Sequence, residues 1–519
     1  MEQVLQVIAD VNSFINGIVW GWPMIILILG TGILITVRTK ALQVRKFGTA
    51  LGETIGATFK DMAKKKDGAE RKESGKAISQ FEAFATAISG TVGTGNIVGV
   101  TSAIMTGGPG AVFWMWVSAF FGMVTNYAEN VLGTYFRKKE ENGEFSGGPA
   151  YYLSEGVGRN AEGKLGSFLR MLGKILAVAA AVFCTFAAVG MSGVQTNKIS
   201  ATFQGVIPGD AQTIALVVGI IVAIVLALIV LGGIKSIGRV ASILVPFMSL
   251  LFIVMSLVVI LANVTMLGSA FALIFTNIFS FETALAGVGG YVFAQIIQKG
   301  LARGVFSNEA GLGSSVIAYS ASDTNEPVQQ GFWGVFGVFF DTFVICTLTA
   351  LVVLVSFGNE EGMLNVLYAE GMVDTNVAMM AFSNTFGFFG SITYSIFLPL
   401  FAFTTILAWA YYGEKSVDYL FRKTGNKGRK IATTAFKVLY VGLVVLSAVI
   451  DGELAWAISD TFNGLMALPN LIGLILMSGL IVKITKNYFD RKAGKDVAPL
   501  RSAYEELKDY VSTNESVEA

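Results

Sequence analysis

The chain of 519 residues contains no histidine and only two cysteines, and these absences exclude several kinds of chemistry. Without imidazole there is no histidine metal site, no Ser-His or Cys-His catalytic pair and no histidine proton relay. Cys184 and Cys346 both lie in apolar segments, where cysteine behaves as a small packing residue. We therefore expect no disulfide, no cysteine metal pair and no enzymatic site.

Charged residues are scarce as well, at 14% of the chain, whereas hydrophobic residues make up 54% and the mean hydropathy is +0.65. This composition is too apolar for an ordinary soluble protein, and a segment of about 20 apolar residues crosses the hydrocarbon core of a bilayer. We expect an all-α protein in a lipid bilayer, with about 11 transmembrane helices and no nucleic-acid partner. The predicted spans are 15–37, 77–105, 109–136, 168–203, 212–234, 236–262, 291–322, 327–356, 389–418, 431–450 and 454–482.

The basic residues predict how these spans are oriented. The connection 38–76 carries eleven lysines and arginines, so the positive-inside rule places it in the cytoplasm and the N-terminus outside. With eleven spans, the basic connections all fall on the cytoplasmic side, together with the C-terminus: 137–166, 235–239, 419–430 and 483–508. The predicted connections on the opposite side contain no lysine or arginine.

The polar run SGTVGTGNIVG, from Ser89 to Gly99, interrupts the second predicted span. Every backbone N–H and C=O inside a bilayer needs a partner within the protein, and each glycine costs a helix about 1 kcal/mol relative to alanine. One interpretation is close helix packing through Gly95 and Gly99, a small-xxx-small pair. Because packing does not account for the hydroxyl and amide side chains at the same depth, we favour an unwound helix. Its carbonyls and hydroxyls would hold a hard cation, and its free N–H groups a carboxylate.

A second polar run, from Gly304 to Ser322, interrupts the seventh predicted span. It follows the first break by five spans, the separation expected of two inverted repeats that each begin with a broken helix. The alternative is a cytoplasmic loop after a span at 283–303. The turn residues of SDTNEPVQQG, with Pro327 near the start of the next helix, favour the break. The predicted organisation is an N-terminal helix and basic connection (1–76), a transporter core (77–482, with repeats at about 77–262 and 291–482) and a C-terminal tail (483–519).

Ionisable side chains within the spans form a separate group of candidates. Three acids are candidates: Glu82, Glu129 and Asp341. Each has three alternative explanations: it is ionised beside a cation, hydrogen-bonded to a helix end, or titrating with a proton. A break at the second polar run also puts Lys299 and Arg303 in the outer half of the membrane. Buried basic groups need carboxylate partners, and Asp460 is one candidate.

Five stretches of the sequence together resemble the alanine or glycine:cation symporter family: GTGNIVGV, GGPGAVFWMWVSAFFGM, GGPAYYL, RGVFSNEAGLGSS and PVQQGFWGVFGVFFDTFVICTLTALVVL. The resemblance covers about residues 77 to 480, and the run around FSNEAGLGS is highly specific. It implies a bacterial or archaeal carrier of the cell membrane with a leucine-transporter-type 5+5 inverted repeat and one extra N-terminal helix. It also implies Na⁺ as the driving ion, no organic cofactor, and alanine, glycine or a similarly small neutral amino acid as substrate.

The family's fold implies a main sodium site between the first break and the ninth span, which carries Thr404 and Thr405. Their hydroxyls and the carbonyls of Ser89 and Val92 would form an oxygen-only shell that suits Na⁺. Two adjacent threonines are alternatively explained by hydroxyl-to-backbone bonding within a helix. Asn96 is either a ligand for a second ion or a capping residue.

For the substrate carboxylate, we expect the N–H groups of Thr94 and Gly95 and the Thr94 hydroxyl, assisted by the dipole of the following half-helix. Gln195 is a further group that would reach the ligand or, alternatively, join two helices. The ammonium would be taken by backbone carbonyls at the second break: Ser307, Asn308 and Glu309.

Two other functions are weighed against sodium symport. A proton-coupled amino-acid symporter is the alternative mechanism, with the buried carboxylates as proton carriers. A channel is a less favoured alternative, because broken helices also line pores. Saturable counterflow and dependence on sodium distinguish a carrier from an open pore.

Overall fold

The computed structural model describes residues 2–60, 77–141, 143–279, 289–357, 373–450 and 452–507, and most of these are helical. The α-helices are α1 (Glu2–Val19), α2 (Trp22–Arg38), α3 (Leu42–Arg45), α4 (Phe47–Leu51), α5 (Gln80–Thr91), α6 (Val98–Gly107), α7 (Ala111–Tyr135), α8 (Pro149–Gly156), α9 (Gly163–Gln204), α10 (Ala211–Val230), α11 (Gly233–Ala262), α12 (Leu267–Thr276), α13 (Gly289–Asn308), α14 (Ser315–Tyr319), α15 (Pro327–Val338), α16 (Thr347–Val355), α17 (Asp374–Phe386), α18 (Phe388–Leu420), α19 (Gly425–Val449) and α20 (Gly452–Lys492). Two short antiparallel strands, β1 (Lys138–Lys139) and β2 (Phe145–Ser146), follow α7.

The helices confirm the predicted all-α membrane architecture. Within the described residues, nine helical stretches are long and apolar enough to cross a membrane, and the bent pair of α5 and α6 makes a tenth if it is one span. The second predicted interruption separates α13 from α14. The total of about 11 spans stays a prediction.

The N-terminal region differs from the prediction of one span at 15–37. Two helices meet there, because α1 ends at Val19 and α2 begins at Trp22 with Pro23 in its first turn. Proline lacks an N–H and favours the first turn of a helix, which explains where α2 begins. Helix α1 packs on α20, and the amide of Asn16 donates to the carboxylate of Asp460 over 3.1 Å.

This contact changes the interpretation of Asp460. Among the described residues, no ion pair joins its carboxylate to Lys299 or Arg303, but its charge interacts electrostatically with Lys299, so Asp460 stays a candidate partner of that lysine. The guanidinium of Arg303 lies instead 5.0 Å from the ring centre of Trp456. A cation over an indole face is attracted by the negative charge of the ring's π-electrons, so Arg303 has an aromatic partner.

The two broken helices meet at one end of the molecule. Ile78, just before α5, and Ser322, just after α14, form a parallel β-bridge, and the N–H of Asp323 donates to the carbonyl of Ile78 over 2.8 Å. Arg137 fixes this junction: its side chain is 4% exposed and donates to the carbonyls of Ser322 (2.5 Å), Ser320 and Thr324. The start of α5 and the end of α14 are therefore held together by backbone hydrogen bonds and one buried arginine.

Replacing Arg137 with methionine is expected to destabilise the protein by at least about 2 kcal/mol, since buried carbonyls lose a charged donor. Thermal unfolding in detergent measures the change. Arg170→Met is the matched control, because that arginine also donates to backbone carbonyls, of Gly158 and Ala161, but is exposed. Equal losses of stability in the two variants would contradict the role given to the buried junction.

The C-terminal segment returns to the helical bundle. Helix α20 continues to Lys492, ten residues beyond the predicted end of the core at 482. Beyond it, the side chain of Arg501 lies 2.6 Å from the carboxylate of Glu326, and the N–H of Ala503 donates to the carbonyl of Tyr135 over 2.9 Å. Glu326 precedes α15, so the described part of the tail covers the end where the two broken helices meet.

Candidate substrate and ion site

The first polar run is an unwound helix, as predicted. Helix α5 ends at Thr91, a 3₁₀ turn covers Thr94–Asn96, and α6 begins at Val98 with its axis bent by 58°. Glycine and the small polar residues allow this path because they impose little steric cost where the chain leaves the helix. The break is fully buried, so its polar groups need partners inside the protein.

Hydrogen bonds at this break divert two N–H groups from the helix. In a continuous helix, the N–H groups of Gly93 and Thr94 would donate to the carbonyls of Ser89 and Gly90. The Gly93 N–H instead donates to the side-chain oxygen of Asn96 (2.9 Å) and the carbonyl of Thr91 (3.1 Å). The Thr94 N–H donates to Oε1 of Gln195 over 3.2 Å. The carbonyls of Ser89 and Gly90 are thereby released from helical bonding.

The four glycines of this run have different surroundings. A Cβ on Gly90 would lie 2.7 Å from the hydroxyl oxygen of Tyr412, and one on Gly93 would overlap the hydroxyl oxygen of Thr405. A Cβ on Gly95 would lie 3.4 Å from the ring of Phe306, whereas one on Gly99 would meet nothing within 4 Å. Helix packing through a Gly95 and Gly99 pair is therefore wrong as an explanation of the run, since Gly99 has no close neighbour.

The two threonines of α18 differ in what they face. Both hydroxyls donate to the carbonyl of Phe401 over 3.0 Å, which is the hydroxyl-to-backbone arrangement. The oxygen of Thr405 also lies against Gly93 in the first break, whereas that of Thr404 lies 3.6 Å from the sulfur of Met248. The structure thus brings Thr405 to the first break and turns the Thr404 hydroxyl toward α11. Their role as sodium ligands stays a prediction.

The second polar run is also a break and not a surface loop. Helix α13 continues to Asn308, and α14 begins at Ser315. Between them, three residues have positive φ: Glu309 (55°), Gly311 (93°) and Gly313 (78°). Glutamate rarely adopts this conformation, and Glu309 is 1% exposed. The alternative of a cytoplasmic loop after 283–303 is therefore wrong, because this segment is buried in the protein.

The second break also releases two carbonyls. The N–H of Gly311 donates to the carboxylate of Glu129 over 3.0 Å, and the N–H of Leu312 donates to the carbonyl of Glu309 over 3.1 Å. In a continuous helix these two donors would serve Ser307 and Asn308. The carbonyls of Ser307 and Asn308 thus lose their helical donors, whereas the Glu309 carbonyl keeps one.

Asp341 joins the two breaks. Its carboxylate accepts from the amide of Asn96 (2.5 Å), the hydroxyl of Ser307 (3.0 Å) and the hydroxyl of Thr342 (2.8 Å). It lies in the π-helical segment Phe339–Cys346, and such wide turns recur at functional sites. Among the described residues no lysine or arginine forms an ion pair with Asp341, and its hydrogen-bond donors are hydroxyl and amide groups, with the thiol of Cys346 beside Asn96 and Ser307. Asn96 bonds the Gly93 N–H and Asp341 together, which is the capping role.

Two other acids have separate partners. Glu82 forms a capping box with Ser79 at the start of α5, the helix-end alternative of the three that were open. The carboxylate of Glu309 accepts from the indole N–H of Trp409 (3.0 Å) and the hydroxyl of Ser314 (2.5 Å). These contacts could not be predicted from the sequence, because the partners lie on another helix and across the break.

An unpartnered hydroxyl and an aromatic pair lie at the first break. The Thr94 hydroxyl is buried and has no hydrogen-bond partner in the structure. The ring of Phe306 lies against Gly95 on one side and stacks on Trp456, with ring centres 5.4 Å apart, on the other. A small ligand at Thr94 would therefore meet polar groups from the first break and an aromatic wall from α13 and α20.

The chain is similar in sequence or fold to known proteins over most of its length. The sequence profile of the sodium:alanine symporter family matches residues 5–500. The chain is 40% identical to the sodium/alanine symporter AgcS of Methanococcus maripaludis, over 91% of this chain and 96% of that protein. It is 33% identical to the putative sodium/proton-dependent alanine carrier protein YrbD of Bacillus subtilis, over 93% of both chains. The crystal structure of MhsT in complex with L-phenylalanine matches with a TM-score of 0.51 and 14% identity, over 80% of this chain and 99% of that one, which shows a common fold.

Proposed function

The chain belongs to the sodium:alanine symporter family, and from this premise we propose how its two helix breaks bind the transported species. The protein is a secondary active symporter that carries a small neutral amino acid together with Na⁺ by alternating access. The observation that carries the proposal is the release of carbonyls at both breaks, at Ser89 and Gly90 and at Ser307 and Asn308, beside the free hydroxyl of Thr94. Unwound half-helices supply carbonyls for cations and N–H groups for carboxylates at the midplane of such carriers.

The main sodium ion binds between the first break and α18. Its ligands are the carbonyls of Ser89 and Val92 and the hydroxyls of Thr404 and Thr405. The contact of Thr405 with Gly93 supports this placement, and a rotation of the Thr404 hydroxyl away from Met248 would complete the shell. Oxygen ligands of this kind suit a hard cation.

The substrate carboxylate binds at Thr94 and Gly95. The ammonium binds at the carbonyls of Ser307 and Asn308. The Glu309 carbonyl is a weaker acceptor, because the Leu312 N–H already donates to it. The side-chain oxygen of Gln195 accepts from the Thr94 N–H in the structure. When a carboxylate takes that N–H, the side-chain amide of Gln195 donates to the ligand instead.

Replacing Gln195 with leucine, which has a similar size but no amide, is expected to raise the KM for alanine about tenfold. A hydrogen bond to a charged group contributes about 1.5–3 kcal/mol, and 1.4 kcal/mol corresponds to a factor of ten. Initial uptake rates at varied alanine concentration measure the effect. Asn197→Leu on the same helix is the control, since its amide donates to the carbonyl of Ile450 near the surface. An unchanged KM in Gln195→Leu would argue for a purely interhelical role.

A second ion binds at Asn96. The carboxylate of Asp341 lies 2.5 Å from the amide of Asn96. The hydroxyl of Ser307 lies 3.0 Å from the same carboxylate. A carboxylate without a basic partner attracts a cation, so this cluster supports either a second Na⁺ or a proton.

The end where the broken helices meet is the cytoplasmic end. It follows directly on the basic connection 38–76, and it contains Arg137 and the returning tail. This orientation leaves the N-terminus outside. The core at 77–482 lies in the membrane, and the tail from 483 lies in the cytoplasm. Lys299 and Arg303 then lie toward the outer face.

Counterflow distinguishes this carrier from a channel. Proteoliposomes loaded with unlabelled alanine and diluted into a trace of labelled alanine are expected to accumulate label transiently above equilibrium, because the internal unlabelled alanine competes with the label for the single site and slows its exit. Vesicles without the protein and vesicles without internal alanine are the controls. Label that rises monotonically to equilibrium, whatever the internal alanine, would indicate a pore.

A further inference from the structure

We propose that Glu129 is a positioning residue that keeps the helix unwound at the second break, between α13 and α14. It thereby exposes the Ser307 carbonyl to the substrate ammonium. The inference rests on the proposed ammonium site at Ser307 and Asn308. Glu129 does not touch the substrate in this proposal. It acts through the peptide group of Gly311.

The carboxylate of Glu129 is fully buried on α7 and bonded through both oxygens. Oε1 accepts from the Gly311 N–H (3.0 Å) and from the amide of Asn470 (2.5 Å), and Oε2 accepts from the amide of Asn126 (3.0 Å). These donors are all neutral, and they come from three separate parts of the fold: the second break, α20 and α7 itself. The carboxylate therefore serves as a hub of hydrogen bonds between the break and two helices.

Asn470 holds the same residue, Gly311, through its carbonyl. Its amide donates to the Gly311 carbonyl over 2.9 Å as well as to Glu129, and its side-chain oxygen accepts from the hydroxyl of Tyr152. The Gly311 residue is thus fixed at its N–H by α7 and at its carbonyl by α20. Its φ of 93° is one that glycine adopts readily.

The consequence for Ser307 follows from where the Gly311 N–H can go. Ser307 lies four residues before Gly311, so its carbonyl is the acceptor that this N–H would have in a continuous helix. A buried N–H without an acceptor is unfavourable, so removal of the carboxylate favours closure of the helix onto Ser307. Closure would occupy the carbonyl that the ammonium needs. A carboxylate accepts more strongly than a carbonyl, which is why Glu129 holds the break open.

The test compares alanine with lactate, which keeps the carboxylate and methyl group but has a hydroxyl in place of the ammonium. Both are measured as competitors of labelled-alanine binding to the purified protein at saturating Na⁺. In Glu129→Leu, which leaves the Gly311 N–H without a side-chain acceptor, the alanine affinity is expected to fall at least tenfold, while the lactate affinity changes less than twofold. Thr134→Val on the same helix is the control, because it removes a buried hydroxyl that has no partner in the structure.

A second variant keeps a carboxylate but moves it away from the break. Glu129→Asp withdraws the charge from the Gly311 N–H by one methylene and is expected to lose alanine affinity like Glu129→Leu. It serves as the test if the leucine variant does not fold.

The outcomes separate this inference from the proposed function. If alanine and lactate weaken equally, or if neither changes, Glu129 does not position the ammonium site and the inference is overturned. If the unmodified protein shows no alanine uptake driven by Na⁺, the proposed function fails, and the inference fails with it.

Discussion

Replacing Gly93 with alanine is expected to lower Na⁺-driven alanine uptake about 10- to 100-fold. A Cβ at this position would overlap the hydroxyl oxygen of Thr405, in the narrowest part of the gap between the first break and α18. Overpacking of a buried site costs about 1–3 kcal/mol. The same displacement would separate the carbonyls of α5 from the threonine that completes the proposed sodium shell, so both ion binding and helix approach are affected.

The matched control lies six residues further on. Gly99→Ala makes the same chemical change within the same motif, but its Cβ would meet nothing within 4 Å, so uptake is expected to remain within about twofold of the unmodified protein. Initial rates in proteoliposomes, normalised to the amount of folded protein by size-exclusion chromatography, measure both variants. Similar losses in the two would mean that general packing of the run, and not the gap at Thr405, determines activity.

Removing the hydroxyl of Thr405 is expected to raise the Na⁺ concentration for half-maximal uptake at least tenfold. A neutral oxygen that contacts an ion in a dry site contributes about 1.5–3 kcal/mol, judged from hydrogen bonds to charged groups, and Thr405→Ala deletes it. The alanine KM measured at saturating Na⁺ is expected to change little. Uptake at varied external Na⁺, with choline replacing it to keep ionic strength constant, gives the half-saturation value.

Two further variants make this result specific. Thr405→Ser keeps the hydroxyl and is expected to retain Na⁺ dependence close to that of the unmodified protein. Thr404→Ala is expected to have a smaller effect than Thr405→Ala, because the Thr404 oxygen faces the sulfur of Met248. A larger effect of Thr404→Ala, or an unchanged Na⁺ response in Thr405→Ala, would contradict the proposed sodium shell.

The sequence was sufficient to predict the two breaks, because their signal is local. Polar and glycine-rich runs inside otherwise apolar spans cost free energy unless they line a site, so the runs from Ser89 and from Gly304 stand out without any structure. The start of α15 at Pro327 could also be predicted from the sequence, since proline favours the first turn of a helix. These features depend on neighbours in the chain.

The connections between the breaks could not be predicted in the same way. Asp341 and Ser307 are 34 residues apart, and Asp341 and Asn96 are 245 apart, so no spacing along the chain relates them. Asp341 and Glu129 were recognised as unusual because carboxylates are rare inside membranes. Their partners became apparent only when helices from both predicted repeats were packed together.

The orientation of side chains on long helices was also beyond sequence reasoning. Thr404 and Thr405 are adjacent and chemically identical, yet a step of about 100° around the helix turns one toward α11 and the other toward the first break. Asp460 was a candidate partner for Lys299 and Arg303 because its charge is opposite to theirs. Its actual contact with Asn16 depends on where α1 packs, and α1 was not predicted.

The most direct test of sodium coupling is alanine uptake into proteoliposomes under separately imposed gradients. Vesicles with an inward Na⁺ gradient, an inward proton gradient, or neither are compared at the same membrane potential, clamped with potassium and valinomycin. Alanine is expected to accumulate above equilibrium with the Na⁺ gradient alone. The double variant Thr404→Ala with Thr405→Ala is expected to abolish this accumulation. Accumulation driven by the proton gradient alone, and unaffected by that double variant, would contradict sodium coupling.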